Sequence, residues 1–200
     1  MPELRSKSKL PTGLTFFVLA YMTACSAMAL RQGNTEFVIY AGAMVVFIAL
    51  VLSLHAAVRF STLCLWLLAL WGLLHMLGGT IPISQAYADT DSNRFVLYAF
   101  RLHPSLPRYD QITHAFGFFA ATVACWESCR SLLGARSGVP LSAAAALMGM
   151  GLGCINEVIE FYITLTMPDN GVGGYINTGW DLVSNTVGCI AAGIWCLTRR

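Results

Sequence analysis

Six long runs of apolar residues follow one another along the chain, and short polar segments separate them. The runs cover residues 10–30, 36–54, 61–79, 109–127, 142–167 and 179–197. An α-helix needs about 20 apolar residues to cross the hydrocarbon core of a bilayer, and each run comes close to that length. The pattern therefore predicts an all-α fold, a polytopic transmembrane bundle of about six helices that forms a single integral-membrane domain over residues 1–200.

Composition supports a membrane protein and excludes other classes. The chain is 56% hydrophobic and only 11% charged, whereas soluble domains carry about 25% charged residues. A net charge of +2 without a basic stripe does not fit a nucleic-acid partner. Membrane lipid is the expected partner, and the chain specifies neither a substrate nor an oligomeric state. The seven cysteines form no CxxC pair, so they are interpreted as small buried hydrophobes.

The distribution of Lys and Arg predicts how the bundle is oriented. If the N-terminus is inside, eight basic residues lie on the inner side and four on the outer side. The inner set is Arg5, Lys7, Lys9, Arg59, Arg130, Arg136, Arg199 and Arg200, and the outer set is Arg31, Arg94, Arg101 and Arg108. Because cytoplasmic loops carry the excess of positive charge, both termini are expected in the cytoplasm. The long 81–108 loop and the Gly-rich turn near residues 167–178 are then outside.

Polar side chains interrupt the apolar runs at one level of the membrane. With the predicted orientation, all of them fall in the outer half, and Glu160 lies about 10 Å inside the outer end of the fifth span. The inner halves of the same helices carry almost none. The residues are His75, Asp110, His114, Asn156, Glu157, Glu160, Asp181 and Asn185.

The spacing of these residues predicts a site inside the bundle. Residues three or four apart share one helical face, as Glu157 and Glu160 do, and as Asp110 and His114 do. Carboxylates and histidines on facing helices are how bundles build metal sites. We interpret Asp110, His114, Glu157, Glu160 and Asp181 as catalytic candidates. Of these, His114, Glu157, Glu160 and Asp181 are the predicted ligands of a divalent metal of open identity, with His75 as a further candidate; Asn156 and Asn185 support them.

A structural explanation competes with this interpretation. Buried polar residues can join helices by hydrogen bonds, although each contributes only about 0.6 kcal/mol on average. That gain is small for several acids placed in a membrane with no Lys or Arg expected at the same depth. The nearest bases, Arg101 and Arg108, are expected outside. At least one carboxyl group should therefore be protonated, or a cation should be bound.

Four segments give the chain a family resemblance. They are LLHMLGG (residues 73–79), YDQITHAFGFF (109–119), INEVIEFY (155–162) and GWDLVSNTVG (179–188). In these segments, and in their order, the chain resembles the YjdF-like family of bacterial inner-membrane proteins, whose function is unknown. The resemblance implies the same fold and the same site positions. The chain differs after Gly79, where Thr80, Ile81 and Pro82 stand and the family tends to have His and Tyr.

A looser resemblance is to the VanZ-like membrane proteins, which are linked to glycopeptide antibiotic resistance. They share a His on one helix, a Glu on the next and an Asp-x-x-x-Asn-x-x-Gly ending. Here these positions are His114, Glu157 or Glu160, and the run from Asp181 through Asn185 to Gly188. Neither resemblance implies a defined activity.

Two function classes fit the pattern, and a third is structural. The first is a metal-dependent enzyme that acts on a lipid or lipid-linked headgroup at the outer leaflet. The second is a transporter or binding protein for a cation or a proton. The third is a non-catalytic membrane subunit. Polar residues confined to one half favour the first class, because transporters more often place their sites at the midplane.

The orientation can be tested directly. A reporter that is active only outside the cytoplasm, fused after Gly171, should be active, because the Gly-rich turn is predicted to be external. The same reporter fused after Gly134, in the turn predicted to be internal, is the control. Cytoplasmic Gly171 would overturn the predicted orientation.

Overall fold

Long helices account for most of the described residues. The computed structural model describes residues 10–89, 95–167 and 171–199. These residues form six long helices, which are α1 (Thr12–Arg31), α2 (Thr35–Val58), α3 (Thr62–Thr80), α4 (Tyr109–Leu133), α5 (Val139–Thr166) and α6 (Tyr175–Leu197). Asn34 caps α2 by accepting from the Phe37 N–H, and Gly134, at φ +63°, ends α4. The all-α prediction is therefore confirmed.

Each helix overlaps one of the predicted apolar runs, but several are longer. Helix α4 continues to Leu133, and α5 already begins at Val139. The helices are longer than the apolar runs because polar residues at a helix end can continue the backbone hydrogen bonding. Pro140 fits the first turn of α5, where no N–H partner is required. Five of the basic residues used to predict the orientation lie outside the described residues, namely Arg5, Lys7, Lys9, Arg94 and Arg200.

Five helices are long and apolar enough to cross a membrane, and α4 is the exception among those described. Its first turns carry Asp110, Gln111 and His114. Helix α4 packs against α2, α3, α5 and α6, so most of its surface contacts protein. A helix surrounded in this way does not need an apolar face on every side.

Hydrogen bonds between segments show which helix ends lie together. Three of them join the end of α3, the starts of α2 and α4, and the α5–α6 turn: Asn34 Nδ2 to Gly79 O (3.1 Å), Tyr109 Oη to Leu74 O (3.0 Å) and Gly171 N to Glu36 Oε2 (3.0 Å). We call this the site end. At the opposite end, the Ser61 N–H donates to Glu127 (2.7 Å) and the Ser131 hydroxyl to the Val58 carbonyl (2.8 Å). Neighbouring helices in the chain therefore run in alternating directions, and α4 and α6 run parallel.

Small residues let α6 lie close to α4 and α5. A Cβ atom added at Gly188 would overlap the carbonyl oxygen of Ala115, and one at Gly153 would lie 3.1 Å from the Asn185 side chain. Toward the opposite end the bundle is filled by apolar side chains, among them Val123, Trp126 and Ala192. The close approach brings the polar faces of α4, α5 and α6 within hydrogen-bonding distance of one another.

This packing predicts opposite effects for two glycines of α6. Gly188→Ala should destabilise the protein by about 2 kcal/mol, because a helix backbone must move to admit the methyl group. Gly179→Ala is the matched control, since nothing lies within 4 Å of a Cβ there, and alanine favours a helix over glycine. Thermal unfolding of the detergent-purified variants measures both. Equal midpoints for the two variants would contradict the close approach of α6 to α4.

Candidate functional site

His114 lies at the centre of the polar residues gathered at the site end. Its ring reaches side chains on α4, α5 and α6, and the residue is 9% exposed. The distances are 3.5 Å from Nδ1 to Glu157 Oε1, 3.5 Å from Nε2 to Asp110 Oδ1 and 3.9 Å from Nε2 to Glu160 Oε1. We call Asp110, His114, Glu157, Glu160 and Asp181 the acid–His cluster.

A short hydrogen-bond chain orients the His114 ring. Asn185 donates through Nδ2 to Glu157 Oε1 at 3.0 Å, which turns its amide oxygen toward His114. That oxygen lies 3.0 Å from His114 Nδ1. An amide oxygen only accepts, so the network assigns the Nδ1 proton to this bond. In the neutral ring the lone pair is then at Nε2, which faces Asp110 and Glu160.

Asp181 is held by a residue that the sequence interpretation did not include. Asn177 Nδ2 donates to Asp181 Oδ2 (2.6 Å) and to the Val172 carbonyl (2.8 Å), and it lies 3.4 Å from Asp110 Oδ2. Asn177, Asp181 and Asn185 are spaced four apart and are all buried. The same i, i+4 rule that selected Asp181 and Asn185 could have selected Asn177.

The predicted residues Asn156 and Glu160 of α5 are hydrogen-bonded to each other beside the cluster. Asn156 donates through Nδ2 to Glu160 Oε1 at 2.8 Å. Both residues are only partly buried, whereas Glu157 is 5% exposed. Asn156 therefore holds one oxygen of Glu160 beside the His114 ring.

Arg108 corrects the expectation that no base reaches the acids. The residue is 5% exposed, and its guanidinium lies 3.4 Å from Asp110 Oδ2 and 3.8 Å from Asp89 Oδ2. Arg101 pairs with the same Asp89 carboxylate at 3.2 Å. The Arg108 N–H also donates to Gln111 Oε1 and caps α4. The loop before α4 therefore folds back over the site end and brings a cation to the edge of the cluster.

His75 lies apart from the carboxylates. Its Nδ1 atom is hydrogen-bonded to the Tyr98 hydroxyl, and its ring centroid is 5.6–6.0 Å from those of Phe37, Tyr40 and Trp71. Burial raises the pKa of Tyr98 well above its usual value, and the nearby carboxylates add to the effect. The Tyr98 hydroxyl therefore stays protonated at neutral pH and donates to His75. This geometry favours a positioning role for His75 over a place among the ligands of the acid–His cluster.

A cavity of about 60 Å³ separates His75 from His114. Tyr40, Trp71 and Tyr98 form an aromatic wall beside His75, and Asp110 and Glu160 also line the cavity. The volume suits an ion with a few water molecules, or one small functional group of a larger ligand. The aromatic wall was not anticipated from the sequence, because Tyr98 comes from the long loop, whose path has no periodic signal.

Two carboxylate oxygens in the cluster lack partners. Glu157 Oε2 and Asp181 Oδ1 are buried and accept no hydrogen bond from any described residue. Glu157 is 5% exposed and Asp181 is 0% exposed. A buried carboxylate oxygen without a partner is costly, so it normally binds a proton, a water or a metal ion.

The donor atoms are close enough to share an ion. Asp110, His114 and Asp181 offer one ligand atom each within 4.8 Å of one another, and so do His114, Glu157 and Glu160. His114 belongs to both groups. Mixed nitrogen and oxygen donors suit zinc, manganese or iron, and additional oxygens suit magnesium or calcium.

Comparison with known proteins identifies the class. The family described as "Predicted membrane protein (DUF2238)" matches residues 13–200, so the chain belongs to this family of membrane proteins of unknown function. The match confirms the resemblance to YjdF-like membrane proteins. No curated protein and no solved structure matches the chain.

The Arg108–Asp110 pair yields a test of the site geometry. Arg108→Met should destabilise the protein by about 3 kcal/mol, because it leaves the Asp110 carboxylate buried beside other acids. The double variant with Asp110→Asn should lose clearly less than the sum of the two single variants. Unfolding of each variant measures the coupling. Arg31→Ala is the control, since Arg31 is exposed at the same end. Additive single effects would contradict the buried pair.

Proposed function

We propose that the acid–His cluster binds a divalent cation and that the protein is a metal-dependent enzyme acting on a lipid or lipid-linked headgroup. The observation that carries the proposal is the pair of buried, unpartnered oxygens on Glu157 and Asp181. Each residue belongs to a group of donors close enough to share an ion, Glu157 with His114 and Glu160, and Asp181 with Asp110 and His114.

The charge balance of the cluster supports a cation. Asp110, Glu157, Glu160 and Asp181 bring four negative charges when ionised. Arg108 brings one positive charge beside Asp110, and His114 must be neutral to offer Nε2 to a metal. The excess of three negative charges is costly in a poorly solvated interior. Three protons would remove it, and so would a divalent cation with one proton, but only the cation also provides partners for both unpartnered oxygens.

The hydrogen-bonding of His114 favours a metal over protons. Metal-binding histidines usually donate their second ring N–H to a neighbouring oxygen, which fixes the tautomer and the ring orientation. Asn185 supplies that oxygen at 3.0 Å from Nδ1. Ligand atoms about 2.1 Å from one ion lie roughly 3–4 Å apart. The distance from Nε2 to Glu160 Oε1 (3.9 Å) falls in this range. Asp110 Oδ1, on the proposed acid or base, lies 3.5 Å from the same nitrogen.

Each residue then has a role. His114 Nε2, Glu157, Glu160 and Asp181 are the proposed ligands, and Asp110 is the acid or base closest to Nε2. A bound divalent ion would polarise a headgroup oxygen or lower the pKa of a water molecule. Arg108, Asn177 and Asn185 position the ligands. Tyr98 and His75 close the opposite wall of the cavity and limit the space beside the ion.

The interior of the bundle favours an enzyme over a transporter. Beyond the cluster, the described helices pack through apolar residues such as Ala120, Val123 and Trp126 toward the opposite end. The buried hydroxyls of Thr122 and Ser142 have no hydrogen-bond partners among the described residues, so they do not form the continuous polar path that a transported ion would need. The site is instead reached from one end, which suits a ligand from the leaflet on that side. Cation or proton transport remains the second candidate, with the same acids as the ion path.

Metal content tests the proposal. The purified protein, stripped with a chelator and re-exposed separately to Zn²⁺, Mn²⁺, Mg²⁺ and Ca²⁺, should retain about one ion per chain of at least one of them. Glu157→Gln and Asp181→Asn should each lower that affinity about tenfold or more, because each removes a charged oxygen donor.

Glu127→Gln is the matched control for this experiment. Glu127 lies at the opposite end and accepts a hydrogen bond from the Ser61 N–H. Glutamine keeps an oxygen that can accept the same bond. The variant should bind the ion as the unmodified protein does. If no ion is retained by the folded wild-type protein, or if the two cluster variants bind as well as wild type, the metal site is refuted.

A further inference from the structure

A second, larger cavity opens at the site end on the other side of α4. It is a groove of about 640 Å³ between the 101–107 segment and the outward faces of α4 and α6. Its walls include Ile112, Trp180, Val183 and Val187, which are 49–57% exposed in the described structure. Because the protein belongs to a membrane-protein family, these exposed apolar side chains are suited to contact lipid acyl chains.

The groove has the dimensions of a lipid-binding cleft. From Trp180 to Val187 the wall descends seven residues along α6, which is about 10 Å at 1.5 Å per residue. That is most of one leaflet's hydrocarbon thickness of about 15 Å. Pockets that hold small ligands measure roughly 300–1,000 Å³, so the volume is sufficient for a large part of an acyl chain. Because α4 and α6 run parallel, both walls descend from the same end.

The positively charged side chain of Arg101 lies at the polar end of this groove. Arg101 lines it together with Ser105 and Gln111. The Arg101 side chain is 28% exposed and pairs with Asp89 at 3.2 Å, and its buried Nε has no hydrogen-bond partner among the described residues. A guanidinium has five N–H donors in a fork that matches phosphate oxygens. The Asp89 contact uses Nη2, and Nε is buried, so the terminal N–H groups of the partly exposed guanidinium are the donors for a phosphate at the level of the headgroups.

We propose that this groove binds one phospholipid with an anionic headgroup, its phosphate against Arg101 and one acyl chain along Ile112, Val183 and Val187. The apolar walls account for the chain, and the arginine accounts for the sign of the headgroup charge. The inference does not depend on the metal site, because the acid–His cluster occupies the opposite faces of α4 and α6.

The groove is nevertheless connected to the cluster through charged side chains. Arg101 and Arg108 share the Asp89 carboxylate, and Arg108 reaches Asp110. A phosphate bound to Arg101 would compete with Asp89 for that guanidinium. Occupation of the groove would in this way change the charge balance next to Asp110 without any lipid atom reaching the cavity.

Lipid retention measured by native mass spectrometry tests the proposal. Purified protein is mixed with equimolar phosphatidylglycerol and phosphatidylcholine in detergent, and the bound lipids are counted. Wild type should retain one phosphatidylglycerol in clear preference to phosphatidylcholine. Arg101→Gln should lower that preference about tenfold. The choline ammonium partly neutralises the phosphate of phosphatidylcholine, so that lipid gains less from the arginine than phosphatidylglycerol does. Val187→Trp should reduce retention of both lipids by filling the groove.

Arg31→Ala is the matched control, since Arg31 is an exposed arginine at the same end but does not line the groove. It should leave the preference unchanged. Equal retention of the two lipids by wild type would overturn the proposal, and so would an unaltered preference in folded Arg101→Gln. Normal retention in folded Val187→Trp would place the lipid elsewhere. Thermal unfolding identifies any variant that fails to fold, and the remaining variant then decides.

Discussion

The structure depends on how buried carboxylates are compensated in a poorly solvated interior. An ionised acid in such a place needs a counter-charge or several hydrogen-bond donors. Here three amides each donate to at least one of the acids, Asn156 to Glu160, Asn177 to Asp181 and Asn185 to Glu157. Arg108 supplies positive charge beside Asp110. One oxygen of Glu157 and one of Asp181 are left without a hydrogen-bond donor among the described residues, and the proposed metal site rests on this incomplete compensation.

Close helix packing makes this network geometrically possible. Gly188 brings α6 against the backbone of α4 at Ala115, and Gly153 lets Asn185 lie against α5. Asn185 can then reach His114 on one helix and Glu157 on another. A larger residue at either glycine would separate the helices and break the chain that orients the His114 ring. The small residues of α5 and α6 therefore serve the chemistry indirectly, through the distances that they permit.

Much of the fold and part of the candidate site could be predicted from the spacing of apolar and polar residues in the sequence. Apolar runs located all six helices, and i, i+4 spacing placed Asp110 with His114 and Asp181 with Asn185 on shared faces, which the structure brings together. The loop before α4 could not be predicted in this way. Tyr98 and Arg108 reach the site by long-range folding of an aperiodic segment, and only tertiary packing determines such a path. For the same reason Arg108 was not expected to reach the acids, whereas it is buried and lies 3.4 Å from Asp110 Oδ2.

Helix α4 separates two environments that a membrane site for a lipid headgroup would need. Its inner face carries Asp110 and His114 toward a small polar cavity, and its outer face carries Gln111 and Ile112 toward a large apolar groove. Residues adjacent in sequence point about 100° apart on a helix, so one turn of α4 can present side chains to both the cavity and the groove. The Arg101–Asp89–Arg108–Asp110 series crosses between the two faces at the level of the loop. A polar site isolated from lipid would not require such a connection, whereas a site that responds to a headgroup at the membrane surface would.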